Sequence, residues 1–307
     1  MNTQSNTMHE APLESQAIAI PAVISPARRM YWSVRRELWE NHSIYVAPLV
    51  VAALFLLSFL ISLIRLRQHM PITSEQVHDM LIAPYEYVAG LMMATALIVG
   101  IFYSLDALYG ERRDRSIFFW KSLPISDVMT VLSKFTIPLV VLPLLSFAII
   151  VAAQLIMLLS STVVLLGSGV SAPTFWTHSS FFRVSWGVLY HLVTVHGLWF
   201  APIYGWLILV SAWAPRASFV WAFLPPVVIC GVEKLAFNTT HFLEMLGNRV
   251  TGPPSSMPMT PGSPPMNPLA ALIPSQFFSL PGLWIGLAIA AIFLAGAVRL
   301  RRYRGPV

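Results

Sequence analysis

Five consecutive ionic residues, Glu111 to Arg115, stand out in a chain that is 56% hydrophobic and only 10% charged. They read Glu-Arg-Arg-Asp-Arg, and the bulky apolar run Ile-Phe-Phe-Trp follows, ending at Trp120. Mixed charge of this kind is typical of a water-exposed helix, whose side chains pair three or four positions apart. These residue types predict a short docking helix that offers charge and aromatic surface to a partner. The alternative is a solvated loop whose charges do no more than set membrane topology.

The same segment carries signals for where helices end and begin. Leu123 and Pro124 are expected to break the docking helix, because proline cannot continue it. Ser126 and Asp127 then supply a helix N-cap and a first-turn acid. They predict that a new helix starts here and leads into a long apolar run.

Nucleotide-binding and catalytic motifs are missing from the sequence. A phosphate-binding loop needs G-x-x-x-x-G-K-[ST], but the three lysines, Lys121, Lys134 and Lys234, follow Trp, Ser and Glu. Neither H-E-x-x-H nor G-x-S-x-G occurs. We therefore expect the chain to be no enzyme and to bind no cofactor itself.

The histidines and methionines do not predict a metal site. His191 and His196 are five residues apart, which on an α-helix places them about 140° apart and argues against a shared metal. They could line a substrate path, or they could bond to neighbouring helices. Met257, Met259 and Met266 offer soft ligands of the kind copper(I) prefers, but they lack Cys or His nearby.

The composition indicates a polytopic membrane protein. Mean hydropathy is +0.70 over 307 residues, and no soluble domain could cover so much apolar surface. Six runs are long enough to cross roughly 30 Å of hydrocarbon. They are Tyr45 to Ile64, Tyr85 to Leu105, Phe135 to Leu166, Trp186 to Trp213, Phe219 to Leu235, and Leu283 to Val298. The predicted fold class is an all-α membrane protein with six transmembrane helices.

The distribution of basic residues predicts the orientation. Fourteen of the 19 lysines and arginines fall on the side that holds both termini and the loops after the second and fourth spans. By the positive-inside rule this side is cytoplasmic, so the segment at Glu111 is cytoplasmic too. No cleavable signal is recognised before the first span, which we expect to act as a signal-anchor.

The chain is predicted to form one membrane domain. Residues 1–26 are expected to be a flexible cytoplasmic N-terminus, and residues 27–307 a single six-span domain. The longest outer loop covers residues 236–282, and nine prolines fall between Pro253 and Pro281. The part that reads TGPPSSMPMTPGSPPMNP, residues 251–268, should be extended and mobile, while Asn267 to Gly282 is apolar and could form a short interfacial or re-entrant helix.

The segment before the first span predicts a helix lying in the membrane interface. On a helix from Ala27 to Asn41, basic and aromatic side chains separate from an apolar face, and tryptophans lie at the border. The alternative is that the segment is basic only because it adjoins a membrane span. The apolar face contains Ala27, Met30, Tyr31, Val34 and Leu38; opposite lie Arg29, Arg36 and Glu40, with Trp32 and Trp39 between, and Arg35 adds a further charge.

This order of elements resembles the permease subunits of ABC-2-type transporters. The likeness covers most of the chain as topology: a basic amphipathic helix, two spans, a charged cytoplasmic segment, and four further spans. At the level of motifs it is carried by Tyr109 to Lys134 and, more loosely, by R-R-E-L-W-E at Arg35 to Glu40. In that family the segment after the second span is the coupling helix, which sits in a groove of a cytoplasmic ATPase subunit.

The resemblance implies a division of labour between subunits. ATP and magnesium would be bound by the partner ATPase, and a second copy of the permease, or a related one, would complete an exporter in a bacterial inner membrane. Membrane lipid would be the other partner, with no role for nucleic acid. The residues that the resemblance assigns to ATPase coupling are Glu111, Arg112, Arg113, Asp114, Arg115, Phe118, Phe119, Trp120, Lys121 and Pro124. An ATPase-independent channel or carrier and a membrane-embedded enzyme remain the rival classes.

Overall fold

The computed structural model describes residues 25–68, 74–122, 125–166, 181–252 and 274–304. Most of the chain in these ranges is helical and none of it is β-strand, as the sequence predicts. Residues 1–24, Pro124 and the proline-rich stretch 253–273 lie outside the described residues.

The helices follow one another with short connections. In chain order they are α1 (Pro26–Glu40), α2 (Ser43–Gln68), α3 (Ser74–Asp106), α4 (Tyr109–Arg113), α5 (Ile117–Ser122), α6 (Asp127–Thr136), the π-helix π1 (Ile137–Val141), α7 (Leu142–Leu166), α8 (Phe181–His191), the π-helix π2 (Leu192–Trp199), α9 (Ala201–Trp213), α10 (Ser218–Phe237), α11 (His241–Thr251), α12 (Pro274–Ser279) and α13 (Pro281–Tyr303).

Five of these helical stretches are long and apolar enough to span a membrane. A sixth span is formed if the stretch Ser185–Trp199, which covers the end of α8 and π2, is taken together with α9, which it meets at an angle of 46°. The third stretch begins at Asp127, eight residues before the predicted start of its apolar run at Phe135. It begins there because the Ser126 hydroxyl accepts a hydrogen bond from the Met129 N–H at 3.2 Å, which confirms the predicted N-cap.

The two π-helices contact each other inside the bundle. A Cβ on Gly197 of π2 would lie 3.2 Å from the carbonyl oxygen of Leu139 in π1, so glycine allows this close approach. Pro138 in π1 has no N–H to donate, and the widened turn falls at this proline. Breaks in the regular hydrogen-bond ladder therefore coincide with the point where the third and fourth spans meet.

Two groups of helices supply most of the core. In one, α2, α3 and α7 pack around fully buried Val88, Met92 and Ile150. In the other, α9 lies along α13, where Gly205 comes within van der Waals distance of the Ala290 backbone. Small residues allow helix backbones to approach closely in a membrane protein. Both groups end at a layer of short helices, α1, α4, α5 and α6, which carries twelve charged residues.

Candidate functional site at the charged end

We call the meeting point of α1, α4, α5, α6 and the last turn of α13 the charged end. The segment from Tyr109 to Ser122 is attached there by its first residues. The Ser211 hydroxyl at the end of α9 accepts hydrogen bonds from the N–H groups of Leu108 and Tyr109, at 2.9 and 2.8 Å. These bonds satisfy two N–H groups that the start of α4 would otherwise leave unpaired. Helix α4 is thereby fixed to the fourth span.

A cluster of ionisable side chains, which we call the ionic cluster, is buried at the centre of the charged end. The Lys134 ammonium donates to both carboxylate oxygens of Glu37, at 2.9 and 3.0 Å. It also lies 3.1 Å from the Glu111 carboxylate. All three side chains are almost completely shielded from solvent. One lysine therefore bridges two acids that belong to different helices.

Further charges surround this centre and balance it. Arg301 of α13 donates to the Glu111 carboxylate and, at 3.2 Å, to Asp127. Arg36 lies 2.6 Å from the Glu37 carboxylate. Three acids thus meet three bases, as buried charges require. The members of the ionic cluster are Arg36, Glu37, Glu111, Asp127, Lys134 and Arg301.

The ionic cluster keeps Glu37 ionised. Burial by itself would raise the pKa of this carboxyl, but the positive charges of Lys134 and Arg36 outweigh burial and lower its pKa below the ordinary value. The Tyr103 hydroxyl adds a donated hydrogen bond of 2.9 Å from the second span. Glu37 therefore fixes α1 to the second and third spans at one point.

Arg112 also faces inward. Its guanidinium is buried and donates to the carbonyl oxygens of Ala212 and Ala214, at 2.9 and 3.1 Å. Ile117, on the next turn, is buried as well. Within the charged segment, Glu111, Arg112 and Ile117 thus form an internal face that joins α4 and α5 to the bundle.

The other side chains of the segment face outward. Phe118 and Phe119 are 62% and 61% exposed, an unusual position for two adjacent phenylalanines next to charged residues. Arg113 donates to Asp114 at 3.0 Å, and both are exposed. The exposed face comprises Arg113, Asp114, Arg115, Phe118, Phe119 and Lys121.

Trp120 connects the two faces. The Arg36 guanidinium carbon lies 3.9 Å above its ring, and the Phe119 and Trp120 rings are 4.9 Å apart. Arg36 is also a member of the ionic cluster. The exposed aromatic helix α5 is therefore linked to α1 through a cation–π contact.

Helix α1 does not use the predicted apolar face as a single surface. Val34 and Leu38 pack against buried Ile44, Tyr103 and Ile137 in the protein. Arg36, expected on the polar side, points into the ionic cluster instead. The face turned away from the protein carries Trp32 and Trp39, with Arg35 between their rings at 5.1 and 4.9 Å.

The two histidines lie closer together than α-helical spacing predicts. The rings of His191 and His196 have centroids 5.9 Å apart. A π-helix joins residues five apart by hydrogen bonds, so the π2 backbone brings these positions onto one side. The Nε2 atom of His196 lies 3.0 Å from the Met93 carbonyl oxygen, a bond to a neighbouring helix. No group of three or more potential metal ligands occurs among the described residues.

Four members of the ionic cluster, Glu37, Asp127, Lys134 and Arg301, are absent from the set of site residues assigned from sequence; Asp127 is expected there only as the first-turn acid of a helix. Glu37 is the acid within the basic R-R-E, and Lys134 adjoins the apolar run that begins at Phe135. An ionisable residue beside a membrane span is a signal that could have identified both. Arg301 could not be paired from sequence because its partner, Glu111, is 190 residues away.

Comparison with known proteins does not supply a family. No model of a protein family matches the sequence, and neither a curated protein nor a solved structure matches the chain.

Proposed function

We propose that this chain is the membrane-spanning permease subunit of an ABC-2-type exporter, driven by a separate cytoplasmic ATPase. The observation that carries the proposal is the construction of the segment between the second and third spans. Its internal face is bonded to the bundle through Glu111 and Arg112. Its exposed face presents Phe118 and Phe119 among charged residues. A surface of this kind suits a coupling helix that docks on another subunit.

The ionic cluster would transmit motion from that helix to the spans. Displacing α4 displaces Glu111, which is bonded to Lys134 at the start of the third span and to Arg301 at the end of the sixth. Arg36 above Trp120 connects α5 to the helix that precedes the first span. Because buried opposite charges hold one another in place, the segment and these span ends would move as one unit.

The orientation follows from charge. The charged end lies on the side that holds fourteen of the 19 basic residues, which favours the cytoplasm of a bacterial cell with the inner membrane as location. Both termini would then be cytoplasmic. The ATPase, which would bind ATP and magnesium, would approach Phe118 and Phe119 from this side.

A second permease copy is part of the proposal. In the most apolar part of α10 only 6% is buried within this chain. The corresponding share in the other four unbroken spans is 22% to 56%. A fifth span with so few internal contacts is available to a neighbouring subunit, and a translocation path between two equivalent surfaces needs one. We therefore place a homodimer above two ATPase subunits.

The test is co-purification of an ATPase with the tagged chain from its own host in mild detergent, with ATP hydrolysis as the readout. The double variant Phe118→Ser and Phe119→Ser removes the exposed aromatic surface without touching the ionic cluster. The matched control, Phe102→Ser with Phe278→Ser, changes two exposed phenylalanines in helices outside both the charged segment and α10. We expect wild type and control to retain the ATPase and the first variant to lose it.

The other outcomes contradict the proposal. If wild-type protein retains no nucleotide-hydrolysing subunit, a channel, a carrier or a membrane-embedded enzyme becomes the better interpretation. If the ATPase is retained equally by all three proteins, the coupling surface is not at Phe118 and Phe119.

A further inference from the structure

The face of α1 that points away from the protein has an unusual composition. Tyr31, Trp32 and Trp39 are 59%, 49% and 66% exposed, although tryptophan and tyrosine are usually covered. Ser33 and Glu37, on the opposite face, are buried. The helix thus turns Glu37 toward the protein and three aromatic rings outward.

Arg35 lies among these rings in a defined position. Its guanidinium carbon is 5.1 Å from the centre of the Trp32 ring and 4.9 Å from that of Trp39. The two tryptophans precede and follow it by three and four positions, so one side of a helix holds all three. In the described part of the chain, Arg35 makes no hydrogen bond or ion pair. Its N–H groups are therefore positioned but unused.

The neighbouring arginine provides a contrast. Arg36, one position further along, donates to Glu37 and contacts Trp120 inside the charged end. Arg28, two turns before Arg35 and exposed, adds positive charge on the outward side. Of the two acids of α1, Glu37 is buried, and Glu40, although 44% exposed, lies 3.6 Å from Arg36 rather than beside Arg35.

The position of α1 determines what can reach this face. Two residues separate its end at Glu40 from the start of α2 at Ser43. Helix α2 exposes Val46, Leu49 and Val50 within its first turns, so the apolar surface of the first span begins directly beside α1. Tryptophan side chains favour the depth of lipid headgroups, and arginine binds phosphate through paired N–H groups.

We propose that Trp32, Arg35 and Trp39 bind the headgroup of an anionic phospholipid in the leaflet next to the charged end. The Arg35 guanidinium receives the phosphate while the two indoles border the headgroup and the first acyl carbons. A membrane lipid fits better than a soluble phosphate compound, because the exposed rings need an apolar neighbour. The inference does not depend on the ATPase, so either proposal can fail alone.

The experiment measures which lipid contacts the tryptophans of the full chain. The protein is reconstituted into phosphatidylcholine vesicles that contain a small fraction of brominated phosphatidylglycerol or, in parallel, of brominated phosphatidylcholine. Bromine quenches tryptophan fluorescence at contact, so excess quenching by the anionic lipid reports its enrichment. Arg35→Gln removes the charge and Arg35→Lys retains it without the planar donors. Arg216→Gln, an exposed arginine in the connection after α9, is the matched control.

We expect excess quenching in wild type and in Arg216→Gln, with an apparent affinity for the anionic lipid about fivefold lower in Arg35→Gln. Arg35→Lys should recover only part of this loss, since a lysine cannot form the paired contact. No excess in wild type, an equal loss in Arg216→Gln, or full recovery by lysine would overturn the proposal. Glycerol phosphate in large excess should leave the quenching unchanged; its loss would assign the site to soluble phosphates instead. Identical circular dichroism among the variants confirms that each one is folded.

Discussion

The segment from Tyr109 to Ser122 has two faces of opposite character. On one face Glu111 and Arg112 are buried and bonded to residues of three other helices. On the other face Arg113 and Phe118 are exposed, and the acids that Arg113 pairs with, Asp106 and Asp114, are close to it in sequence. Residues of the same chemical type, adjacent in sequence, thus have different surroundings.

Buried and exposed charges of one segment contribute differently to stability and to recognition. A buried charge stabilises the fold only while its partner is present, because its desolvation has to be offset. An exposed charge contributes little to stability and is free to recognise another molecule. Substitutions on the internal face should therefore lower the free energy of unfolding. Substitutions on the exposed face should instead weaken association with a partner.

The largest effect is expected when the central base of the ionic cluster is removed. Lys134→Met leaves Glu37 and Glu111 without the ammonium that bridges them, and Glu37 is fully buried. Removing one partner of a buried pair costs about 3–5 kcal/mol of unfolding free energy. Equilibrium unfolding in mixed detergent micelles, followed by circular dichroism, measures this loss.

The matched control is Lys121→Met on the exposed side of α5. Its exposed ammonium donates to the Arg302 carbonyl at 3.5 Å, so we expect a change within about 0.5 kcal/mol. Equal losses in the two lysine variants would contradict the division into two faces.

A smaller effect is expected from two neighbouring arginines. Arg112→Met removes donors from the carbonyl oxygens of Ala212 and Ala214, and hydrogen bonds from a charged group contribute about 1.5–3 kcal/mol. Arg113→Met changes an exposed side chain and should cost less than about 0.5 kcal/mol. The same unfolding assay compares them. If Arg113→Met were the more damaging, the assignment of inner and outer faces would be wrong.

Much of the fold could be predicted from the sequence. Apolar length alone identifies the spans, because a helix must cross the bilayer with every backbone group satisfied. The N-cap at Ser126 could also be predicted, since capping depends on a few adjacent residues. The π-helices were not predicted: Pro138 marks one of them in the sequence, but the close approach of Gly197 to Leu139 joins residues that are distant in sequence.

The sequence identifies the charged segment, but it does not show which side chains of that segment are buried and which are exposed. Mixed charge followed by Phe118 and Phe119 identifies the segment. Nothing in that run indicates that Glu111 is buried, since its partners Lys134 and Arg301 belong to other helices. The ATPase-coupling role of the segment remains a prediction. The structure adds which side chains of the segment are exposed.

The smallest effect concerns Arg115, where the two faces meet. Its backbone has φ of 57°, in the left-handed region that ordinary residues enter at a cost and glycine enters freely. Arg115→Gly should therefore raise the unfolding free energy by about 0.5–1 kcal/mol. Asp114→Gly, at an ordinary φ of −85°, should lower it.

The same substitution removes a positive charge from the exposed face. If that face recognises an ATPase, Arg115→Gly should weaken co-purification while the chain itself becomes more stable. A loss of both properties would mean that Arg115 supports the fold, and a gain in stability with unchanged association would exclude its charge from recognition. A variant that is more stable but retains less ATPase would show that Arg115 serves recognition rather than stability. Glycine would be the more stable residue at this backbone conformation, so stability alone does not explain an arginine there.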